Sequence, residues 1–308
     1  MISGGPRPFV VPFQATAPAS VERPSSSPRV PTGVPDFDYL TGGMPAGSVV
    51  LLLGEAGAGH QEFALTSAVH LMFRYDQPSL HQFYLGSAKG PFVYPEGVAF
   101  VSISRSKEQV IGEVRESFHD FYPEVLLRHL IFHDLSPTYF RDSVVPPSWA
   151  ALPGPLLGGD GGAGHSATDS PDGPVRALAS SLESCGKGNV VIVDSLTDLL
   201  VRGGIETNDV LTLLKGLRRR AKSWGGIVYL LLSEGVAPRA TEQAVIDSVD
   251  GVLHFRWSAS PNHSHRNRAM VIEKFMPVLS RLTAEQHGTF VIRINQLNGL
   301  VTTQYERV

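Results

Sequence analysis

The chain has 308 residues, a formal net charge of −3 and 42% hydrophobic residues, which suits a globular protein with one large domain or two small ones. The charge excludes a global basic field that would draw the protein onto nucleic acid. The single cysteine, Cys185, excludes a disulfide framework and a cysteine-rich metal site, and no apolar run reaches the roughly 18 residues of a membrane span. We therefore expect a cytoplasmic protein without a membrane segment.

Two segments have compositions that are typical of unstructured chain. Residues 1–30 are rich in proline, serine and alanine and show no periodicity, which predicts a disordered N-terminal arm. Residues 31–308 are expected to form a single domain, because no internal repeat divides them. Within that domain, residues from about 150 to 174 are rich in Gly, Pro, Ser and Asp and contain few large apolar side chains, so a flexible loop is predicted there.

The most informative stretch is a strand followed by a glycine loop. An apolar run from Val49 to Leu53 predicts a buried strand, and an apolar stretch suited to a helix begins at Phe63. Between them, the glycines fit the spacing of the phosphate-binding pattern G-x-x-x-x-G-K-[ST]. Such a loop turns backbone N–H groups toward phosphate oxygens, and the next helix N-terminus adds to the attraction. The predicted nucleotide-binding residues of the loop are Gly54, Glu55, Ala56, Gly57, Ala58, Gly59, His60 and Gln61.

Two positions of this loop depart from the pattern. His60 stands where the lysine belongs, and Gln61 stands where the Mg²⁺-binding hydroxyl belongs. A histidine is mostly neutral at pH 7 and too short to replace the lysine, and a glutamine is a poor magnesium ligand beside a hydroxyl. Binding of ATP and Mg²⁺ is therefore predicted to be weak or absent. The alternative is that the loop is only a tight turn between strand and helix.

Apolar runs and helical spacing predict the remaining elements. Strands that alternate with helices indicate an α/β fold with a largely parallel sheet and helices on both faces. A surface loop is predicted at about 76–96, where prolines and glycines gather. The two last strands are expected to form a hairpin. The predicted strands are 97–103, 129–133, 189–195, 226–234, 249–255, 269–275 and 288–294, and the predicted helices are 107–119, 175–184 and 208–224.

The segment PTGVPDFDYLTGGMPAGSVVLLLGEAGAG, residues 31–59, resembles the opening of the KaiC-like branch of the RecA superfamily. In that branch T-G-[IV]-x-x-[LF]-D and G-G-[LIM]-x-x-G precede the first core strand and its P-loop. The resemblance covers roughly residues 31–295 and extends to archaeal KaiC-like proteins, described as RecA-superfamily or HTR-like, whose P-loops are also divergent. It implies a RecA-like P-loop fold with a twisted, largely parallel sheet and a C-terminal antiparallel hairpin.

The resemblance also implies roles for residues outside the loop. Asp194 matches the Walker B acid, which would hold Mg²⁺; alternatively it only caps the segment that follows it. Lys274 matches an element that reaches the nucleotide of a neighbouring subunit, although Met276 replaces the arginine of that element. Ser104 and Arg105 occupy the positions of a Glu-Glu pair that orients water, and neither is a general base. No catalytic residue is therefore assigned, and loss of efficient hydrolysis is expected.

These departures predict a regulatory or scaffolding module that retains at most weak nucleotide binding. We expect it to associate with itself or with a related KaiC-like protein. One alternative is a slow, non-standard ATPase in signalling that uses Asp194 and Lys274. A second is a recombinase-like DNA-binding ATPase, although the net charge and the missing catalytic groups argue against nucleic acid as a partner. The residues that would contact DNA are the basic run Lys215, Arg218, Arg219, Arg220 and Lys222.

Overall fold

The computed structural model describes residues 27–85, 91–150, 173–259, 266–282 and 289–306. Most of the predicted N-terminal arm and of the predicted loop at about 150–174 lies outside these described residues. The strands are β1 (Arg29–Val30), β2 (Met44–Pro45), β3 (Ser48–Gly54), β4 (Gly97–Ser102), β5 (Leu130–Asp134), β6 (Asn189–Asp194), β7 (Ile227–Ser233), β8 (Gly251–Ala259), β9 (Arg266–Lys274), β10 (Thr289–Asn295) and β11 (Gly299–Glu306). The helices are α1 (Pro35–Thr41), α2 (His60–Asp76), α3 (Pro78–Leu85), α4 (Lys107–Ser117), α5 (Phe121–His129), α6 (Ser136–Tyr139), α7 (Pro147–Ala150), α8 (Pro174–Cys185), α9 (Leu196–Val201), α10 (Thr207–Ala221), α11 (Arg239–Ser248) and α12 (Met276–Leu279). None of the described helices is both long and apolar enough to cross a membrane.

Within the described chain, nine strands form one mixed sheet in the order β11-β10-β9-β8-β3-β7-β6-β4-β5. The six strands from β8 to β5 in that order run parallel. The three late strands are antiparallel: β9 pairs with β8, β10 with β9, and β11 with β10. The predicted parallel sheet and the predicted antiparallel hairpin near the C-terminus are both confirmed.

The central strand β3 is buried on both faces, as a continuous apolar run in a parallel sheet should be. Val50 and Leu52 face an apolar layer that includes the buried side of α2. Val49, Leu51 and Leu53 face the second layer, which is built from α8, α10 and α11. Because helices cover both faces, the carboxyl end of β3 is held rigidly at one edge of the sheet.

Several elements were not predicted from the sequence, and α3, α5 and β11 are the examples that pack against the predicted ones. Helix α3 forms within the segment predicted as a surface loop, because Tyr84 and Leu85 are buried against α2. Helix α5 buries Tyr122, Val125 and Leu126 at helical spacing. Strand β11 follows the last predicted strand and pairs with it along its length.

The ordered domain begins slightly earlier than predicted. Strand β1 lies inside the predicted arm and pairs with β2. Val30 is fully buried, and the Arg29 guanidinium donates to the carbonyl oxygens of Gly42 at 2.7 Å and Thr41 at 3.2 Å. Arg29 and Val30, which the sequence analysis assigned to the N-terminal arm, therefore form part of a strand pair.

The segment that carries the family resemblance is organised by one buried carboxylate. Asp38 accepts hydrogen bonds from the Thr32 N–H, the Thr32 hydroxyl and the Gly33 N–H, at 2.7, 2.9 and 2.8 Å respectively. Gly33 has a φ of +81°, and a Cβ there would lie 2.9 Å from the Cβ of His70 on α2. Thr32, Gly33 and Asp38 therefore fix the start of the domain against α2, the helix that follows the glycine loop.

Candidate functional site

The predicted strand, loop and helix are present at the carboxyl end of β3. Gly54 ends the strand, and α2 begins at His60. Gly57 and Gly59 have φ angles of +72° and +113°, which a residue with a side chain adopts only at a penalty. A Cβ on Gly59 would also lie 3.1 Å from Cδ1 of Ile292. The glycines therefore serve both the turn and the close approach of β10.

Part of the loop's hydrogen-bonding capacity is used inside the protein. The Glu55 N–H donates to the Phe255 carbonyl oxygen at 3.0 Å, and the Ala58 N–H donates to the Glu55 carbonyl oxygen at 3.0 Å. No described side chain caps the N-terminus of α2, where Gly59 is the capping residue. The other loop amides and the amide groups at the start of α2 therefore remain for an anion.

Two late strands hold the outer side of the loop. Trp257 Nε1 on β8 donates to the Ala56 carbonyl oxygen at 3.1 Å, and Arg268 Nε on β9 donates to the Gly57 carbonyl oxygen at 2.8 Å. The Arg268 guanidinium also lies over the Trp257 ring, 4.6 Å from its centroid. The sequence analysis missed this clamp, because it depends on how β8 and β9 pair. The only sequence signal was an aromatic and a basic residue on consecutive strands.

His60 fills the inside of the loop. Its ring packs so closely on Gly54 that any side chain there would overlap it, and the ring centroid lies 6.5 Å from that of Phe255. Its Nδ1 atom is buried without a hydrogen-bond partner among the described residues. Burial lowers the pKa of His60 to about 4, so the ring is neutral at pH 7. It does not supply the positive charge that the lysine of a P-loop supplies.

The second half of the site lies between β4 and β6. These strands are parallel neighbours, with Ser102 in register with Asp194, so the residues that follow β4 come close to the end of β6. Arg105 Nε donates to Asp194 Oδ2 at 3.0 Å, and its Nη2 contacts the same oxygen. Arg105 Nη1 forms a second ion pair with Glu113 on α4. The sequence analysis predicted neither the contact of Arg105 with Asp194 nor that of Glu113 with Arg105.

The same guanidinium also reaches the P-loop helix. When the Gln61 amide is oriented so that its oxygen meets donors, that oxygen accepts from Arg105 Nη1 at 3.0 Å and Nη2 at 2.6 Å. Arg105 therefore bridges Gln61 and Asp194, the two positions from which a P-loop protein would hold magnesium.

Electrostatics favour a charged arginine at this position. Burial disfavours the charge on Arg105, but Asp194 and Glu113 outweigh that effect and raise its pKa. Burial raises the pKa of the Asp194 carboxyl, and attraction by Arg105 opposes this rise. The Asp194 side chain is 12% exposed and that of Arg105 28%, so the pair is only partly screened by solvent.

The residues present do not fit a magnesium site. Magnesium requires a near-octahedral shell of oxygen ligands at roughly 2.1 Å, but a guanidinium already contacts the Asp194 carboxylate and the Gln61 oxygen. A positive charge at this place also repels a divalent cation. In the described ranges, no group of three or more His, Cys, Asp or Glu side chains could hold a metal ion.

The positions of the expected Glu-Glu pair both carry hydrogen-bond donors that face carboxylates. Ser104 Oγ donates to Asp198 Oδ2 at 3.0 Å, beside Ser195 Oγ, which donates to the same oxygen at 3.1 Å. Arg105 faces Asp194 as described above. A carboxylate that could orient water is therefore replaced at both positions. The only sequence signal for the Asp198 contact was the position of Asp198 in the first turn after Ser195.

Lys274 lies away from the P-loop of its own chain. It is in register with Val252 near the start of β8. Its Nζ atom donates to the carbonyl oxygens of Ile246, Asp247 and Val249, at 2.8, 3.0 and 2.8 Å. These carbonyl groups lie at the C-terminus of α11, where a cation is favourable. Its contact with a neighbouring subunit's nucleotide stays a prediction.

The basic run on α10 is partly neutralised. Arg218 Nε and Lys222 Nζ each lie 2.9 Å from an oxygen of Asp250, and Arg220 pairs with Glu183 on α8. These cations are therefore less available to a phosphate backbone than the sequence suggests.

Comparison with known proteins supports the fold. No protein-family model matches the sequence, and no curated protein sequence is significantly similar to it. A solved structure of a KaiC-like protein from the hyperthermophilic archaeon Pyrococcus horikoshii OT3 matches with a TM-score of 0.56 and 17% sequence identity, covering 90% of this chain and 100% of that chain. This chain has a RecA/KaiC-like fold. At such low identity the likeness concerns the fold alone, so function must be argued from the residues of the site.

Proposed function

We propose that this protein is a hydrolysis-deficient RecA/KaiC-like module that acts by binding, as a regulatory or scaffolding subunit. The observation that carries the proposal is the Arg105 guanidinium between Gln61 and Asp194. ATP hydrolysis on a P-loop needs a lysine at the β- and γ-phosphates, a magnesium ion, and a group that orients water. His60 stands at the position of the lysine, and Gln61 stands at that of the magnesium-binding hydroxyl. Ser104 and Arg105 stand at the positions of the glutamates that orient water.

The expected loss of ligand affinity is large. A charge-assisted hydrogen bond contributes roughly 1.5–3 kcal/mol, so losing the lysine contact and one metal-mediated contact removes about 3–6 kcal/mol. Such a loss weakens binding by a factor of roughly 10² to 10⁴. The loop amides and the α2 N-terminus still favour an anion. We therefore infer weak binding of a nucleotide or phosphate, without turnover.

A module that does not turn over its ligand can act only through binding equilibria. Its partners are inferred to be a second copy of this chain or a related KaiC-like protein, in the cytoplasm. The paired cations of α10 disfavour nucleic acid as a partner.

The test is a measurement of Mg²⁺-dependent ATP turnover by the purified full chain, with the Asp194→Ala variant as control. We expect phosphate release at the buffer background from both proteins. Turnover that the Asp194→Ala change abolishes would overturn the proposal and establish an ATPase. Light scattering of the same samples, with and without ATP, reports whether the chain self-associates.

A further inference from the structure

The Arg105 guanidinium contacts both groups from which a magnesium ion would be held. We propose that Arg105 is a built-in replacement for the divalent metal, so that this P-loop site excludes Mg²⁺ and takes phosphate groups in their metal-free form. The inference rests on the proposed function and deepens it, because it names the form of ligand that the site accepts.

The geometry suits a permanent internal cation. A guanidinium keeps its charge at all physiological pH values, and its planar fork can contact a carboxylate through two nitrogens. Arg105 Nε and Nη2 both contact Asp194 Oδ2, while Nη1 contacts Glu113. The Gln61 oxygen closes the arrangement at 2.6 and 3.0 Å. The donors that face Asp194 and the Gln61 oxygen belong to this one side chain, so its guanidinium lies where a metal ion would be held.

The backbone that carries Arg105 is itself fixed. Its N–H donates to the Ser102 hydroxyl at 3.0 Å, directly at the end of β4. On its other side, Ser106 and Gln109 form a capping box that begins α4. The arginine is therefore anchored between a strand end and a helix start, as expected for a positioned residue rather than a mobile surface side chain.

A consequence follows for the ligand. Arg105 offsets the charge of Asp194, so this carboxylate does not need a divalent cation as its counter-charge. A free triphosphate carries more negative charge than its magnesium complex and would interact better with a guanidinium. The inference therefore predicts that removal of Mg²⁺ does not weaken ATP binding.

The decisive measurement is Mn²⁺ binding, read from the electron paramagnetic resonance signal of the free ion. The proteins are the wild type, Arg105→Gln, Arg105→Gln with Asp194→Asn, and Asp194→Asn alone. Arg115→Gln, at an exposed position of α4, is the matched control. We expect no Asp194-dependent binding in the wild type or the control. Arg105→Gln should bind Mn²⁺ at least tenfold more tightly, and the double variant should lose this gain.

Two results would overturn the inference: Mn²⁺ binding by the wild type that Asp194→Asn abolishes, or an Arg105→Gln variant that folds and binds Mn²⁺ no better than the wild type. If Arg105→Gln does not fold, the comparison of wild type with Asp194→Asn still decides. ATP turnover tests only the proposed function. A chain that binds Mn²⁺ at Asp194 without hydrolysing ATP would contradict this inference and leave the proposed function intact. Hydrolysis of ATP without a metal would contradict the proposed function and leave this inference intact.

Discussion

The ion pair between Arg105 and Asp194 is expected to contribute measurably to stability. Each partner is mostly buried, at 28% and 12% exposure, and each would lose its main counter-charge if the other were neutralised. Breaking a fully buried pair costs about 3–5 kcal/mol. Because Arg105 is partly exposed and retains Glu113 as a partner, we expect Arg105→Gln to lower the free energy of unfolding by about 2 kcal/mol. Asp194→Asn should lower it by less, because it removes a carboxylate whose charge burial disfavours.

A double-mutant cycle separates the contact from these individual effects. Urea denaturation of the wild type, both single variants and the double variant at neutral pH gives the coupling free energy. We expect a coupling of about 1–2 kcal/mol. The matched control is the cycle for Arg220 and Glu183, an ion pair between α10 and α8 whose side chains are both about half exposed. Exposed pairs couple weakly, so the control cycle should give a clearly smaller value.

Additivity would refute this reasoning. If the effects of Arg105→Gln and Asp194→Asn add to within roughly 0.5 kcal/mol, the guanidinium does not hold the carboxylate in solution. In that case the assignment of Arg105 as an internal cation fails as well.

Three further predictions concern His60, Gly59 and Lys274. Burial lowers the pKa of His60 from 6.5 to about 4. Between these pH values the unfolded chain binds a proton that the folded chain does not. The free energy of unfolding therefore falls as the pH is lowered from about 6.5 to 4. In urea titrations across this range, the free energy of unfolding of the His60→Leu variant should therefore fall less steeply, by up to about 1.4 kcal/mol per pH unit. An unchanged slope would contradict the buried position of His60. Gly59→Ala should lower the free energy of unfolding by about 1–2 kcal/mol because φ is +113° there, whereas Gly216→Ala, in helix α10 with open space around it, should raise it by about 0.5–1 kcal/mol. Lys274→Ala should lower the free energy of unfolding by about 1 kcal/mol through loss of the α11 carbonyl contacts. Lys215→Ala, at an exposed position of α10, should have little effect. Equal melting temperatures of the two variants would indicate that the carbonyl contacts of Lys274 do not stabilise the fold.

Local pattern was sufficient to predict the elements around the P-loop. The apolar run of β3 and the glycines that follow it determine a strand and a turn with few alternatives, and the structure contains both. The short helices α3 and α5 were missed for a physical reason. Each contains proline at or near its start, and each is stabilised by burial against other elements rather than by propensity.

The contacts within the candidate site could not be predicted in the same way. Arg105 and Asp194 are 89 residues apart, and they meet because β4 and β6 are neighbours with Ser102 in register with Asp194. The sequence analysis noted Arg105 only because it stands at the position of a glutamate in the family pattern. The clamp of Trp257 and Arg268 on the loop likewise depends on the pairing of β8 with β9.

The charges at His60, Ser104, Arg105 and Asp194 can be compared with those of the family pattern. A P-loop site of the family pattern brings a lysine, an aspartate and two glutamates, whose net charge of about −2 a magnesium ion neutralises. Here His60 and Ser104 are neutral, and Arg105 cancels Asp194. Glu113, the second ion-pair partner of Arg105, leaves a net charge of −1, which is less negative than the family pattern.

It follows that repairing the loop alone is insufficient. We expect His60→Lys with Gln61→Thr to leave Mg²⁺-dependent ATP turnover at background, because Arg105 still occupies the metal position. Adding Ser104→Glu and Arg105→Glu removes the blocking cation and supplies the missing carboxylates. Of these two loop variants, the fourfold one should therefore bind Mn²⁺ through Asp194 and show turnover above background. Turnover in the loop double variant would mean that Arg105 leaves Asp194 readily, and the compensation inferred from the charges would then be wrong.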